Sequence, residues 1–243
     1  MNTQELKERK VGDLVKENIK TAHVFKKYGI DFCCGGGISI QSACEKGNVA
    51  FDQLAADLIK LNEPVSKNEN YDEWELDVLA DYIVSTHHSY VSESIPLIMA
   101  YAQKVASVHG NAHQPVIEIF RLFDELAHEL TSHMQKEELI LFPYVRTLAE
   151  AKRNGTHTEL PPFGSVQNPI NMMEHEHDVA GGLLKDISEQ SNGYTPPEWA
   201  CNTFRALYAK LAEFEEDLHI HIHLENNILF PKAVAMEKDL TQS

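Results

Sequence analysis

Apolar residues recur with helical spacing over most of the chain, and this pattern predicts an all-α protein. Runs of β-branched residues, which favour strands, are scarce. The four longest helical stretches lie at about 72–108, 115–152, 169–191 and 197–236. Three of them contain a proline that is expected to bend the helix, namely Pro96, Pro143 and Pro231. Four long helices joined by short connections predict a four-helix bundle.

Four shorter amphipathic stretches precede the bundle, at about 11–17, 21–28, 38–46 and 51–61. A glycine-rich turn with the sequence DFCCGGG separates the second stretch from the third. Helices this short are rarely stable alone, so they are expected to pack as one small helical domain. The sequence therefore predicts a helical domain at 1–61, a polar linker at 62–71 and the bundle at 72–243.

One motif occurs twice in the predicted bundle. The segments SHMQKEELILFP and IHIHLENNILFP each contain a histidine, a glutamate four residues later and a proline six residues after that. The two pairs are His133 with Glu137 and His221 with Glu225. Because side chains at i and i+4 share one helix face, each pair can present two ligands in the same direction.

Helical phase sorts the 13 histidines of the chain. His133, His177 and His221 lie on the apolar stripes of the second, third and fourth helices. In the first helix, phase slightly favours His87, whereas the internal symmetry of the two helix pairs favours His88, and we choose His88. Four other histidines fall beside the stripes: His128, His175, His219 and His223.

These stripes would bury four imidazoles and two carboxylates, which indicates a metal centre. A buried carboxylate opposes folding by several kcal/mol unless it is paired, hydrogen-bonded or bound to a metal. Neither stripe that carries a glutamate supplies a lysine or arginine to neutralise it. A single core histidine is usually an ordinary hydrogen-bonding residue, but this reading leaves the two glutamates unexplained.

The donor set narrows the choice of metal. Zinc is satisfied by four ligands, and calcium and magnesium prefer oxygen donors. Mixed histidine and carboxylate ligands suit iron or manganese. Two irons could each take two histidines, with Glu137 and Glu225 as bridges, which leaves room for an oxo or hydroxo bridge and a small exogenous ligand. Haem with two axial histidines is an alternative, but it does not account for the glutamates.

Composition and sequence limit the partners that this protein can bind and the cell compartment in which it is expected. The formal net charge of -16 argues against non-specific binding to nucleic acid or to anionic membranes. No apolar stretch approaches the ~20 residues that span a bilayer, and the N-terminus lacks the apolar segment of a secretory signal. A cytoplasmic location is therefore expected. The four cysteines are not expected to form a disulfide framework. Two of them are adjacent, which disfavours a bond between them. Reduced thiols also fit a cytoplasmic protein better than disulfides do.

The bundle, with its paired His-x3-Glu motifs followed by LFP, resembles the hemerythrin-like domains. Ferritin-like carboxylate proteins use Glu-x-x-His instead and fit less well. Together with the DFCCGGG turn, the whole chain resembles the iron–sulfur cluster repair di-iron proteins, the RIC family with its YtfE- and ScdA-like members. The helical domain at 1–61 is similar to the ScdA N-terminal domain. A longer loop at 151–167 departs from the family pattern and leaves the ligand spacing of each half intact.

The resemblance implies a non-haem di-iron centre, iron–sulfur clients damaged by nitric oxide or peroxide, and cytoplasmic homodimers. The ligands that it implies here are His88, His133, Glu137, His177, His221 and Glu225, with the glutamates as bridges. We expect a protein that supplies iron for cluster repair rather than a turnover enzyme. The alternatives are a reversible carrier or sensor of oxygen or nitric oxide, and a nitric oxide reductase.

The family's paired cysteines match Cys33 and Cys34. One reading makes them buried packing residues, since cysteine buries readily. The other makes them a soft-ligand pair that relays iron or a nitrosyl, because thiolates bind ferrous iron and the glycines allow a partner to approach. Cys44 and Cys201 lack such a context and are expected to be ordinary packing residues.

Overall fold

The computed structural model describes residues 3–61 and 70–241, and helices account for most of them. Within these residues there is no β-strand, only an isolated bridge between Lys10 and Ser39, so the predicted all-α fold is confirmed. Residues 62–69, which make up most of the predicted linker, lie outside the described part. The short helices are α1 (Thr3–Glu8), α2 (Val11–Glu17), α3 (Thr21–Lys27), α4 (Ile40–Gly47) and α5 (Phe51–Lys60).

Three of the four long stretches predicted from the sequence contain a wider, π-helical turn. After a 3₁₀ turn at Tyr71–Glu73, the helices are α6 (Leu76–Tyr82), α7 (Ser89–His109), α8 (Pro115–Lys136), α9 (Phe142–Asn154), α10 (Gln167–Gln190), α11 (Asn202–Leu224) and α12 (Phe230–Thr241). The π turns join α6 to α7 at Ile83–His88, α8 to α9 at Glu137–Leu141, and α11 to α12 at Glu225–Leu229. Turns of this kind are frequent at functional sites.

The π turns at Glu137 and Glu225 end shortly before Pro143 and Pro231, whose missing N–H removes a regular helical hydrogen bond. A π turn also shifts the phase of everything after it. Ile140 follows His133 by seven residues and would share its face in a regular helix, yet it is 49% exposed, and Leu141 is buried at 1% exposure instead. Helix α7 runs on through Pro96, and the irregular turn of this stretch lies upstream of that proline.

Packing divides the chain into two compact units. The first comprises Met1–Ala80, Val145–Glu159 and His219–Ser243, and the second comprises Asp81–Tyr144 and Leu160–Leu218. This grouping follows contacts rather than chain order, and the division of the sequence at 61 and 72 stays a prediction. Within the described residues, no helix combines the length and apolar character that crossing a bilayer requires.

Each unit has its own apolar core. In the first unit, Val11, Phe25, Ile40 and Leu54 are fully buried, and polar contacts at the surface tie distant segments together. For example, Lys232 Nζ donates to the backbone oxygens of Asp72 and Trp74 at 2.9 and 2.8 Å. In the second unit, α7 and α10 both pack against α8. Its largest fully buried side chains are Phe123, Phe142, Phe204, Tyr208 and Phe214.

Candidate metal centre

Glu137 lies between two histidines from different helices in the second unit. Its Oε2 atom is 3.3 Å from His88 Nε2 and 3.3 Å from His133 Nε2. Glu137 is 0% exposed, and both histidines are buried. The His133 contact follows from the i,i+4 spacing, whereas the His88 contact depends on how the helices pack. A carboxylate flanked by two imidazole nitrogens in this way could bind the same cation as either histidine.

His177 on α10 forms a group of three candidate ligands with His133 and Glu137. Its Nε2 atom is 3.1 Å from His133 Nε2. Ligand atoms of His133, Glu137 and His177 all lie within 4.8 Å of one another. Two ligand atoms at about 2.1 Å from one ion lie about 3 Å apart, so these separations fit neighbouring ligands of a single cation.

Two further carboxylates orient the histidines. His88 Nδ1 donates to Glu138 Oε1 at 2.8 Å, and His133 Nδ1 donates to Glu176 Oε2 at 3.0 Å. Because a carboxylate only accepts, Nδ1 carries the hydrogen and Nε2 keeps its lone pair for a metal. Glu176 also pairs with Lys136. The His133 hydrogen bond, followed by the Lys136 contact, lowers the pKa of the Glu176 carboxyl to about 2 despite its partial burial.

The first unit holds the second His-x3-Glu pair. His221 Nε2 lies 3.0 Å from Glu225 Oε1, and both residues are buried, with Glu225 at 0% exposure. Glu225 opens the π turn that follows α11, as Glu137 opens the one that follows α8. In each copy of the sequence motif, the histidine therefore contacts the glutamate, and the glutamate begins a π turn.

The donor set fits a transition metal. Buried imidazole Nε2 atoms that converge with ionisable carboxylates need a cation, and nitrogen donors disfavour calcium and magnesium. The second unit alone places three histidines around one glutamate. The sequence predicts six such ligands, more than the four that satisfy a structural zinc site.

His87 and His88 have different partners, although both are buried. His87 Nδ1 pairs with Asp217 Oδ1 at 3.0 Å, and its ring meets the edge of Tyr82. His88 contacts Glu137 instead. The structure thus brings His88 to the candidate ligands, in line with the choice based on internal symmetry.

The off-stripe histidines separate into two classes. His128 and His175 are exposed, as helical phase predicts. His219 and His223 instead flank the Phe32 ring, with ring centroids 5.9 and 6.0 Å away. His223 is fully buried, and this burial lowers its pKa to about 4. Lying beside the stripe therefore did not mean exposure to solvent, because another segment of the first unit covers that side.

The DFCCGGG turn is closed by its aspartate. Asp31 Oδ1 accepts the backbone N–H groups of Cys33 and Cys34 at 2.9 and 3.1 Å, and Asp31 Oδ2 accepts that of Gly35 at 2.9 Å. Cys33 is buried and Cys34 is partly exposed. A hydrogen bond with Cys34, burial and the Asp31 charge together raise the pKa of the Cys33 thiol well above its usual range.

The other two cysteines differ from each other. Cys44 is buried, as expected of a packing residue. The same expectation is wrong for Cys201, which is exposed and lies 3.3 Å from His109 Nε2. It directly precedes α11, where the chain enters the helix from a surface loop.

Glu138, Glu176 and Asp31 were absent from the predicted site. Each stands within two residues of a predicted site residue, which is the only sequence signal that could have pointed to them.

Comparisons with known proteins relate the chain to two domain families and to proteins of one name. Residues 79–233 match the family model of the hemerythrin HHE cation binding domain, and residues 7–62 match the ScdA N-terminal domain, described as a domain of unknown function. The chain is 35% identical over 228 residues to the iron–sulfur cluster repair protein YtfE of Edwardsiella ictaluri, covering 94% of this chain and 97% of that protein. It is 37% identical over 214 residues to the protein of the same name from Yersinia pseudotuberculosis serotype IB, covering 88% and 91%.

Proposed function

The chain belongs to the family of iron–sulfur cluster repair proteins with a hemerythrin HHE cation-binding domain, and from this we propose that it repairs damaged clusters by supplying iron from a di-iron centre. The observation that carries the proposal is the fully buried Glu137 with the Nε2 atoms of His88 and His133 on either side. Such a carboxylate is tolerated in the interior when a cation neutralises it.

Six side chains supply the ligands in this proposal, and the two glutamates serve both ions. Each ion would take two of the four histidines, as the family resemblance implies. All six side chains are buried. Two histidines and two carboxylates would hold each ion, as expected from the sequence, and would leave room for a small exogenous ligand.

The protein's own residues prepare this centre before iron binds. Glu138 and Glu176 fix the Nδ1–H tautomers of His88 and His133, so their Nε2 lone pairs point at the site. Glu137 is fully buried, and a site without bulk water strengthens the attraction of its carboxylate for a cation. Iron bound here would supply redox chemistry and a place for oxygen or nitric oxide to bind. Four protein ligands for each ion, rather than a closed shell, favour release to an acceptor.

Cys33 and Cys34 are proposed to relay iron or a nitrosyl to iron–sulfur client proteins. Cys34 is partly exposed, so it can meet a partner, while Cys33 lies behind it in the interior. Two further points follow from the family resemblance, a cytoplasmic location and a homodimer. Sedimentation analysis of the metal-loaded protein tests the second point.

The test begins with protein purified without oxygen. Metal analysis and Mössbauer spectroscopy should find two coupled non-haem irons per chain, and incubation with an apo iron–sulfur protein should restore its cluster-dependent activity. The Glu137→Ala variant should lose both properties, and Glu129→Ala on the exposed face of α8 should keep them. A native protein with one zinc or no metal would contradict the centre. Reversible oxygen binding without iron transfer would indicate a carrier instead.

A further inference from the structure

A second group of metal-binding side chains lies in the DFCCGGG turn. Ligand atoms of Asp31, Cys33 and Cys34 are all within 4.8 Å of one another. The Cys33 thiol donates to Asp31 Oδ1 at 3.2 Å. These three residues include none of the six histidine and glutamate ligands of the buried centre.

The backbone holds the Asp31 carboxylate beside the two sulfur atoms. Three N–H groups of the turn point at its oxygens, which fixes the side chain against the chain that carries the cysteines. Two glycines make this approach possible. A Cβ atom on Gly35 would lie 3.0 Å from Asp31 Oδ2, and one on Gly36 would lie 2.4 Å from the Phe32 carbonyl oxygen. The glycines of the turn therefore allow one carboxylate and two thiols to lie close together.

We infer that Asp31, Cys33 and Cys34 form a separate site for one divalent metal ion, which is ferrous iron in transit when the protein repairs clusters. Two sulfurs and one oxygen are a borderline donor set that suits late first-row metals and excludes calcium and magnesium. Three protein ligands leave one position open, as in exchangeable rather than structural sites. Binding converts both thiols to thiolates and releases two protons, with no change in oxidation state.

The turn is also joined to the segment that carries Glu225. Asn227 Nδ2 donates to the backbone oxygen of Cys33 at 3.1 Å, and Asn226 Nδ2 lies 4.0 Å from Cys34 Sγ. Both asparagines belong to the π turn Glu225–Leu229. The thiol site is thus anchored two residues from a proposed ligand of the buried centre. The role of the site in transfer rests on the proposed function, whereas its capacity to bind metal does not.

The inference is tested by titrating the full-length, metal-free, reduced protein with Co²⁺ and recording absorption. Two ions should bind without sulfur ligands, and a third should give a thiolate-to-cobalt charge-transfer band. Cys34→Ser should abolish the band and keep two ions. Asp31→Asn should keep the band but weaken the third ion by at least about tenfold, the loss typical of a ligand or its support. Cys201→Ser is the control and should behave as wild type.

The outcomes separate this site from the buried centre. Two bound ions with no thiolate band would overturn the inference and leave the proposed function intact. An affinity for the third ion that Asp31→Asn leaves unchanged would overturn the three-ligand assignment. Conversely, a thiolate band with no ions at the histidine ligands would support this site while contradicting the di-iron proposal. Absence of any bound cobalt would contradict both.

Discussion

His133 Nε2 and His177 Nε2 face each other at 3.1 Å, although the two residues belong to different helices. Glu176 fixes the hydrogen of His133 on Nδ1, so Nε2 of that ring carries a lone pair. The two nitrogens therefore either share one hydrogen or share a cation. Burial of both rings together with Glu137 favours the cation.

Loss of one of these rings should empty half of the centre. In the proposed assignment, His177 serves only one of the two ions, so His177→Ala should reduce the iron content from two ions per chain to one. Metal analysis of anaerobically loaded protein measures this. His175→Ala, on the exposed face of the same helix, is the matched control. Retention of two ions by His177→Ala would refute the assignment.

The carboxylate behind His133 should matter for metal affinity without being a ligand. Glu176→Gln keeps the shape of the side chain but removes the charge that supports the Nδ1–H of His133. We expect metal affinity to fall about 10–100-fold, as for other residues that orient metal-binding histidines. Competition with a chromophoric chelator measures the affinity. Glu174→Gln, which alters an exposed position on α10, should leave it unchanged.

Three of the proposed ligands, His133, His177 and His221, could be predicted from the sequence because each lies on the apolar stripe of its own helix, where a polar residue needs an explanation. The same argument located Glu137 and Glu225. His88 was chosen from the internal symmetry of the two helix pairs instead. Whether all six act as ligands stays a prediction until metal is measured. The contacts between side chains of different helices could not be predicted, because helical phase gives the buried face but not the neighbour that it meets.

Residues at the edge of a predicted apolar stripe were harder to predict for the same reason. Glu176 lies at the edge of the α10 stripe and reaches His133 on α8. His223 lies beside the α11 stripe, yet Phe32 covers it. The π turn after α8 changed the phase by enough to expose Ile140 and bury Leu141. A periodicity of 3.6 cannot anticipate such a turn.

Alkaline pH should destabilise the second unit through Tyr208. Burial raises the pKa of its hydroxyl from 10.0 to about 12. The unfolded chain therefore ionises first, and the stability that Tyr208 contributes is complete below pH 10 and is lost as pH rises towards 12. The loss should be about 1–3 kcal/mol. Urea unfolding of Tyr208→Phe should show a weaker pH dependence over this range than that of wild type.

The DFCCGGG turn should tolerate alanine in place of Gly37 but not in place of Gly36. A Cβ on Gly36 would lie 2.4 Å from the Phe32 carbonyl oxygen, while one on Gly37 meets nothing within 4 Å. Gly36→Ala should therefore lower the free energy of unfolding by about 1–3 kcal/mol, typical of overpacking, and should speed the reaction of Cys33 with a thiol reagent. Gly37→Ala should change neither. Equal effects of the two substitutions would show that the turn is not as tight as the structure indicates.

If a metal ion neutralises Glu137, the effect of Glu137→Gln on the free energy of unfolding should have opposite signs in metal-free and metal-loaded protein. In metal-free protein, Glu137 places an ionisable group at 0% exposure, and its charge opposes folding. Glu137→Gln should then raise the free energy of unfolding by about 1–3 kcal/mol relative to metal-free wild type, because it removes that charge at constant volume. In metal-loaded protein, the same substitution removes a shared ligand and should lower stability, since bound metal stabilises only the folded state.

Urea unfolding of both proteins, with and without a chelator, measures the two effects. Glu129→Gln, at an exposed position on α8, should be neutral in both conditions. If Glu137→Gln destabilised metal-free and metal-loaded protein equally, Glu137 would act as an ordinary hydrogen-bonding residue of the core. In that case the charge of Glu137 would need no metal to balance it, and the main physical argument for a cation at this position would fail.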